Sequence, residues 1–326
     1  MSMIRKFAPA LVLAVVVAGC GGDSIKLPSF TAVNLGRPVT GFTVAGAASN
    51  GDFYGRESAS GLPFEALIYR ANGTVTPIVG PYGSDINLLG MSSNGNWVGV
   101  EDGSANPLQG NGATGTDFIL GLAPRGGDVF PQAINNAGAV AGVYVDENTR
   151  VFIKPVSGAT TLYTNVTGYI PRRVIGITTA GVAVGIATPT ASKGSYYFLT
   201  SGSTLIVGDP GEIVDVEDDG RIVGNDSIGP FRMNSPVGVR IRLPLPNATT
   251  GYVYGLNNKG DMVGEFTVGG VTKPCLWDSN TGAFLDLSGN FPADGNYRSA
   301  RSITNSGDIL VVREGGSSQL LRLNRL

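Results

Sequence analysis

One phrase recurs seven times along this chain, and it constrains the fold more than any other feature. Its clearest form is Leu256-Asn-Asn-Lys-Gly-Asp-Met-Val-Gly264, a polar turn between two apolar runs. The turn glycines are Gly51, Gly95, Gly138, Gly181, Gly220, Gly260 and Gly307. They are separated by 44, 43, 43, 39, 40 and 47 residues. Strand-rich units that repeat every ~40–45 residues are typical of the blades of a propeller.

The sixth repeat predicts four short strands, which we name A to D in chain order. They are Tyr252–Leu256, Asp261–Phe266, Lys273–Trp277 and Ala283–Leu287. An Asn-rich turn with glycine joins A to B, because these residues adopt the left-handed conformation of a tight hairpin. Such a small sheet cannot bury both of its faces alone, whereas sheets stacked around an axis cover one another. The sequence therefore predicts an all-β, seven-bladed β-propeller of four-stranded blades.

The two ends of the repeat region predict how the ring closes. The seventh repeat stops after its third strand, Gln319–Leu323, while Phe30–Leu35 precedes the first repeat and has the pattern of a strand D. We expect this N-terminal strand to complete the last blade, which removes an open sheet edge. In the second blade, strand C is predicted at Asp117–Leu120 after a long insertion, Gly103–Gly115, and a degenerate strand D at Asp128–Phe130.

The repeat resembles a known family unit. Asn257-Asn258-Lys-Gly260-Asp-Met-Val-Gly264, followed by Pro274–Trp277 and Ala283–Leu287, is similar to the bacterial extracellular HAF repeat. The resemblance covers nearly the whole repeat region and weakens at Ile177–Gly185. It implies a propeller-like, exported protein, and it brings no agreed catalytic residues with it.

The first residues predict export and a lipid anchor. Arg5 and Lys6 precede a short apolar run, and Val17-Ala-Gly-Cys20 resembles the lipobox of bacterial lipoproteins. The alternative is an ordinary signal peptide followed by an incidental cysteine. We predict a signal peptide over residues 1–19, a lipidated Cys20 (palmitate among its acyl chains) with a tether over 20–29, and the propeller domain over 30–326. Gly21 after the cysteine implies the outer membrane of a Gram-negative bacterium, on its periplasmic or cell-surface side.

Composition excludes several classes of function. The chain has no histidine, which rules out Ser–His and Cys–His nucleophiles and imidazole metal ligands within it. Its net charge of −2 argues against nucleic acid as a partner. If Cys20 carries lipid, Cys275 is the one remaining cysteine, predicted as a buried apolar residue.

The B–C loops and D–A crossovers share one face of a propeller, and here they vary while the A–B turns do not. Sites are usually carried by variable loops on a rigid scaffold. The sequence therefore predicts that this face binds a glycan, peptide or protein, without a cofactor. The candidate binding residues, all assigned to D–A crossovers, are Tyr82, Asp85, Asp128, Tyr169, Arg172, Arg173, Tyr252, Tyr297, Arg298 and Arg301.

Acidic residues leave two alternatives open. Asp215, Glu217, Asp219 and Asp226 approach the spacing of a calcium loop, although Glu and Asp stand at its third and twelfth positions instead of the usual residues. The pairs Glu101-Asp102 and Asp146-Glu147 follow strand B in neighbouring blades. Two carboxylates across a central pocket would suit a glycoside hydrolase or lyase acting on an extracellular polymer. The missing histidine and nucleophile motif favour a binding protein over this enzyme.

Overall fold

The computed structural model describes most of the chain after the predicted tether. The described residues are 29–38, 43–57, 65–81, 83, 85–102, 106–117, 127–163, 166–191, 194–202, 204–291, 296–313 and 319–325. Cys20, the predicted lipid anchor, and Tyr82, a predicted binding residue, lie outside them. Within these ranges one short 3₁₀ helix occurs, Ser288–Asn290, and no helix is long and apolar enough to cross a membrane.

The fold is a seven-bladed β-propeller of four-stranded antiparallel sheets, as predicted. Blade 1 contains β2 (Thr43–Ala47), β3 (Phe53–Glu57), β4 (Glu65–Tyr69) and β5 (Val75–Pro77). Blade 2 contains β6 (Ile86–Met91), β7 (Asn96–Glu101), β8 (Pro107–Asn111) and β9 (Thr114–Asp117). Blade 3 contains β10 (Asp128–Ile134), β11 (Val140–Val145), β12 (Thr149–Lys154) and β13 (Thr161–Tyr163).

The remaining blades follow the same order, with strand A innermost. Blade 4 contains β14 (Tyr169–Ile177), β15 (Ala183–Pro189), β16 (Tyr196–Ser201) and β17 (Thr204–Pro210). Blade 5 contains β18 (Glu212–Val216), β19 (Ile222–Asp226), β20 (Gly229–Met233) and β21 (Ile241–Arg242). Blade 6 contains β22 (Thr250–Leu256), β23 (Met262–Val268), β24 (Val271–Trp277) and β25 (Phe284–Asp286). Blade 7 contains β26 (Tyr297–Ile303), β27 (Ile309–Arg313), β28 (Gln319–Arg325) and β1 (Phe30–Pro38).

Blade 7 confirms the predicted closure of the ring. Strand β1 is its outermost strand and pairs antiparallel with β28, from Phe30 opposite Arg325 to Asn34 opposite Leu321. Phe30 and Ala32 pack against the apolar cluster between blades 6 and 7. The N-terminal strand thus supplies the fourth strand of the sheet that the C-terminal repeat begins.

Blade 2 differs from the prediction. Strands C and D form a tight hairpin inside the predicted insertion, β8 and β9, because Gly112 at φ 71° makes a turn possible between Asn111 and Thr114. Asp117 therefore ends strand D, and the rest of the predicted strand C lies outside the described residues. The predicted strand D at Asp128–Phe130 is wrong: those residues begin strand A of blade 3.

Two glycines in the repeat have separate structural causes. Gly260 lies at φ 90° in the A–B turn, a region that glycine reaches without steric cost, and the other six turn glycines are also left-handed. Gly264 lies on strand B, where a Cβ would overlap the carbonyl oxygen of Tyr252 on strand A. The close approach of strands A and B therefore explains why the phrase ends in glycine.

Candidate functional site

Seven innermost strands surround an axial channel of about 170 Å³. We call its end at the A–B turns the turn end, and its end at the D–A crossovers the crossover end. Each strand A carries a β-bulge six residues before its turn glycine. The residues that these bulges leave unpaired are Ala45, Leu89, Gln132, Ile175, Val214, Tyr254 and Arg301. A bulge redirects a side chain, and all of these residues except Gln132 line the channel.

Arg173 is the main charged group of the crossover half. It lies on β14 and lines the channel, where its side chain is exposed to the channel interior. Desolvation lowers the pKa of its guanidinium, Glu212 on the next blade acts in the opposite direction, and Arg56 lowers the pKa further. Among the residues that the structure describes, none forms a hydrogen bond or ion pair with this guanidinium. Arg56 itself donates to Asn87 Oδ1 at 2.7 Å.

Tyr254 and Arg301 form a second group beside the channel. The Arg301 guanidinium carbon lies 4.0 Å from the centre of the Tyr254 ring, within the range of a cation–π contact. Arg301 Nε donates to Ser299 Oγ at 2.8 Å. Burial raises the pKa of Tyr254, Arg301 opposes this, and Glu265 adds to it. The side chains of two predicted residues, Arg173 and Arg301, therefore line the same channel.

The other predicted binding residues lie on strands rather than on crossovers. Asp128, Tyr169, Arg172, Arg173, Tyr252, Tyr297, Arg298 and Arg301 all belong to strands A, so their assignment to crossovers was wrong, although Tyr252 was also predicted to begin strand A of the sixth repeat. On β14 and β26 a bulge close to the start of the strand interrupts the alternation that the sequence pattern relies on. Asp85, which is exposed, directly precedes β6.

Several of these side chains are already engaged or face solvent. Tyr297 is buried and stacks on Phe291 with ring centres 4.4 Å apart, and Tyr169 meets the edge of the ring of Tyr196 at 5.4 Å. Tyr252 is 48% exposed. Arg172 is exposed and donates from Nε to Thr188 Oγ1 at 2.8 Å. Asp128 and Arg298 are also exposed.

The turn end is closed by hydrogen bonds between blades. Asn136 donates from Nδ2 to Ser93 Oγ at 2.7 Å, and its backbone N–H donates to Asp218 Oδ2 at 3.1 Å. The second bond links blades 3 and 5 past blade 4. The backbone N–H of Asn258 donates to Asn305 Oδ1 at 3.0 Å. These residues share one repeat position, two before the turn glycine, and all of them except Asn305 line a depression of about 560 Å³.

Blade 5 places acids where the other repeats have small or neutral residues. Asp215 stands where the others have Gly, Ala or Ser, and Glu217 where they have Ala, Ser, Asn or Thr. Burial raises the pKa of Asp215 to about 6, although its carboxylate accepts from the backbone N–H groups of Val216 and Leu256. Burial, then Asp215, raises the pKa of Glu217 to about 8. Burial also raises the pKa of Asp218.

The four calcium candidates do not converge. Asp219 lies in the A–B turn of blade 5 and pairs with Arg221, while Asp226 lies at the far end of β19 and is bound by Arg240 and Arg242. No group of three or more acidic, Cys or His side chains that could hold a metal occurs in the described ranges.

The paired acids are separate surface groups. Glu101 accepts from Asn106 at 2.8 Å, the backbone N–H of Asp102 donates to Asp85, and Asp146 pairs with Arg150. They lie on blades 2 and 3, at the ends of β7 and β11, and none of them lines the channel.

Sequence reasoning missed Arg56, Glu212, Tyr254 and Glu265 at the crossover half. Tyr254 could have been found by aligning the repeats, because it shares a position with Arg301 and departs from the aliphatic residues that four of the other repeats have there. Arg56 and Glu265 lie on strands B, and nothing in their spacing indicates that they approach the channel.

Comparison with known proteins gives the fold and no family. No family model matches the chain, and no curated protein matches it. Among solved structures, YCF48 from Cyanidioschyzon merolae is similar with a TM-score of 0.53 and 10% identity, over 90% of this chain and 98% of that one. An oligogalacturonate lyase in complex with manganese is similar with a TM-score of 0.54 and 11% identity, over 92% of this chain and 96% of that one. YCF48 bound to D1 peptide is similar with a TM-score of 0.54 and 12% identity, over 92% of this chain and 98% of that one.

Proposed function

We propose that this protein is an exported, lipid-anchored propeller that binds a peptide or protein partner at the crossover end of its channel. The observation that carries the proposal is the contrast between the two channel ends. Polar side chains at the turn end mostly bind one another, whereas Arg173 at the other half has no such partner among the described residues. A polar group without a partner in a concave site is available to a ligand.

The proposed export and lipid anchor rest on the N-terminal sequence and the resemblance to the extracellular HAF repeat. The test is Cys20→Ala in a bacterium grown with labelled palmitate. We expect the label to be lost and the protein to leave the membrane fraction, because acyl chains supply the anchoring free energy. Cys275→Ala is the matched control and should keep the label. Label that survives Cys20→Ala would refute the anchor.

The binding role is supported by the peptide complex of YCF48, a propeller of the same fold with 12% identity. Identity this low carries the fold alone, so the partner must be found by experiment. The full chain, purified in detergent, is applied to a peptide array and to a glycan array. We expect selective peptide binding that weakens in high salt, because the charged groups at the crossover end are screened. Glycan binding alone would replace the peptide partner with a sugar.

A hydrolase or lyase is the second candidate, and one observation favours it. Asp215 and Glu217 share the turn end, and a pKa of about 8 keeps Glu217 protonated at neutral pH, as a general acid requires. Against it, Asp215 already accepts two backbone hydrogen bonds. The test is an assay for reducing ends released from an acidic polysaccharide. Activity that is lost in Glu217→Gln and kept in Glu212→Gln would establish the enzyme.

A further inference from the structure

The geometry points to a carboxylate as the group that enters the crossover half of the channel, borne by a peptide and received by Arg173. This inference rests on the proposed binding function and specifies the chemistry of its ligand. The carboxylate can be a C-terminus or an acidic side chain, and the experiment below separates these two sources.

The placement of Arg173 carries the argument. Arg172 and Arg173 are adjacent on β14, and Arg172 is the residue that a bulge leaves unpaired between Pro171 and Arg173. Arg172 is directed to Thr188 on the same sheet, whereas Arg173 lines the channel. A guanidinium presents a planar fork of donors that matches a carboxylate in a bidentate pair. Arg56 and Arg301 add positive charge nearby, and Glu212 and Glu265 add negative charge.

The same pair of bulges occurs once more, on β26. On β26 the pairing register shifts after Tyr297 and again after Ala300. On β14 it shifts after Pro171 and again after Val174. The other five strands A show one shift each. The two doubly bulged strands are the two that contribute an arginine to the channel lining. Bulges next to functional sites aim side chains, so this coincidence supports a built cation site.

The size of the channel restricts what enters. A volume of about 170 Å³ is below the ~300–1,000 Å³ of sites that enclose a whole small-molecule ligand. It therefore admits the end or one side chain of a larger molecule. The charge distribution sets the direction, because Asp215 and Asp218 at the turn end repel an anion. A carboxylate is most stable at the crossover half, beside Arg173.

The aromatic side chains favour a peptide over a sugar. Tyr297 is buried against Phe291, and Arg301 covers one face of Tyr254. Of the three tyrosines on β22 and β26, Tyr252 alone has a largely exposed ring. Flat aromatic surface for stacking on sugar rings is therefore scarce on these two strands, whereas capture of a peptide carboxylate needs one positioned cation and backbone contacts.

The experiment measures binding of short fluorescent peptides to the full chain in detergent by fluorescence anisotropy. Peptides that bind on the array are resynthesised in matched forms. One form replaces the C-terminal carboxylate by a carboxamide, another replaces each Asp or Glu by Asn or Gln, and a third carries both changes. A uronate oligosaccharide is tested in parallel. We expect the doubly changed peptide to bind at least tenfold more weakly, about the effect of losing a charged hydrogen bond.

Arg173→Gln and Arg172→Gln form a matched pair, because each removes one positive charge from neighbouring positions of β14. We expect Arg173→Gln to weaken binding about tenfold or more and Arg172→Gln less than about twofold. Arg173→Lys should recover part of the loss, since lysine restores the charge without the fork. The far-ultraviolet circular dichroism and melting temperature of each variant check that it is folded.

Four outcomes overturn the inference. Equal losses for the two arginine variants would place the site elsewhere on the face, and equal binding of neutral and acidic peptides would remove the carboxylate. Both leave the proposed binding function standing. Preference for the uronate oligosaccharide over every peptide would make the ligand a sugar. If no peptide or glycan binds, the proposed function and this inference fail together.

Discussion

Two acids at opposite ends of one hairpin in blade 5 have pKa values shifted in opposite directions. Glu217 lies in the turn between β18 and β19, and burial raises its pKa to about 8. Asp226 ends β19 at the crossover face; burial raises its pKa, but hydrogen bonds from Arg242 and Arg240 outweigh this and lower it to about 2. The same hairpin therefore holds an unfavourably placed acid at one end and a well-paired acid at the other.

The difference separates the residues that stabilise the ring from the residues that are available to a ligand. At the turn end, repeated residues close the fold: buried Asn257, for example, donates to Thr304 O at 3.1 Å and accepts from two backbone N–H groups of its own turn. Residues that break the repeat carry the charge, including Glu217 and Arg173. Stability is thus expected to depend on the shared positions, and ligand chemistry on the departures.

Deletion of strand β1 tests whether both ends depend on a closed ring. Removing residues 30–38 exposes the edge of β28 and removes the packing of Phe30 and Ala32. We expect a loss of about 5 kcal/mol or more in the free energy of unfolding, with aggregation, because a paired and packed strand is lost. Chemical denaturation followed by circular dichroism measures it. An unchanged unfolding midpoint would show that β1 contributes little to the ring.

Asp226→Asn tests the well-paired end. Its side chain is 7% exposed and holds Arg240 at 2.8 Å and Arg242 at 2.6 Å. We expect a loss of about 2–4 kcal/mol at neutral pH, since the variant leaves the largely buried guanidinium of Arg240 and the more exposed one of Arg242 without their counter-charge. Because folding lowers this pKa, the contribution is present above the unfolded value of 3.8 and is lost as the pH falls towards about 2. The difference between variant and parent should therefore shrink in acid.

Asn257→Ala tests the repeated position at the turn end. The change removes one of the two hydrogen bonds that the Thr304 carbonyl accepts, the other coming from the Gly307 N–H, and it leaves the backbone N–H groups of Lys259 and Asp261 without the Asn257 acceptor. We expect a loss of about 2–3 kcal/mol, within the range for buried unsatisfied groups. Asn290→Ala, which removes one hydrogen bond to Leu287 O, is a control with a smaller expected effect. Equal losses would show that the turn position is not special.

Glu217→Gln tests the unfavourable acid. A folded pKa raised from 4.5 to about 8 means that the folded protein binds a proton that the unfolded chain has released. The acid therefore lowers stability progressively as the pH rises from about 4.5 to about 8. We expect the variant to be more stable than the parent by about 1–2 kcal/mol above pH 8, after allowing for solvent in the channel, and equal to it below pH 4.5. Denaturation at both pH values measures the sign, and an opposite slope would contradict the burial of Glu217.

Arg173→Gln gives the smallest expected change in stability. Its guanidinium has no hydrogen-bond partner within the described part of the chain, so its removal should change the free energy of unfolding by less than about 0.5 kcal/mol. Thermal denaturation of the variant beside the parent measures this. A loss as large as that of Asn257→Ala would make Arg173 a structural residue and would remove the contrast between the two ends.

The sequence predicted the number of blades, the strand order and the closing strand because turn glycines and apolar alternation recur. It failed in blade 2, where the Asn111–Thr114 turn lacks the repeated phrase and a longer loop was expected instead. It also could not place the bulges, since a bulge depends on how strand A packs around the axis. Arg173 and Arg301 were therefore selected as candidates, but their convergence on a channel required the structure.

The direction of strand β1 has a consequence for orientation. Phe30 pairs with Arg325, the last paired residue of β28. Strand β28 is the third strand of blade 7, and the third strand of a blade ends on the same face as the A–B turns. The chain therefore enters the ring from the turn end. If Cys20 is held at a bilayer, its ten-residue connection spans at most ~35 Å. The turn end would then lie nearer to the lipid headgroups. The crossover end of the channel, with Arg173, would lie on the aqueous side, where a partner can approach.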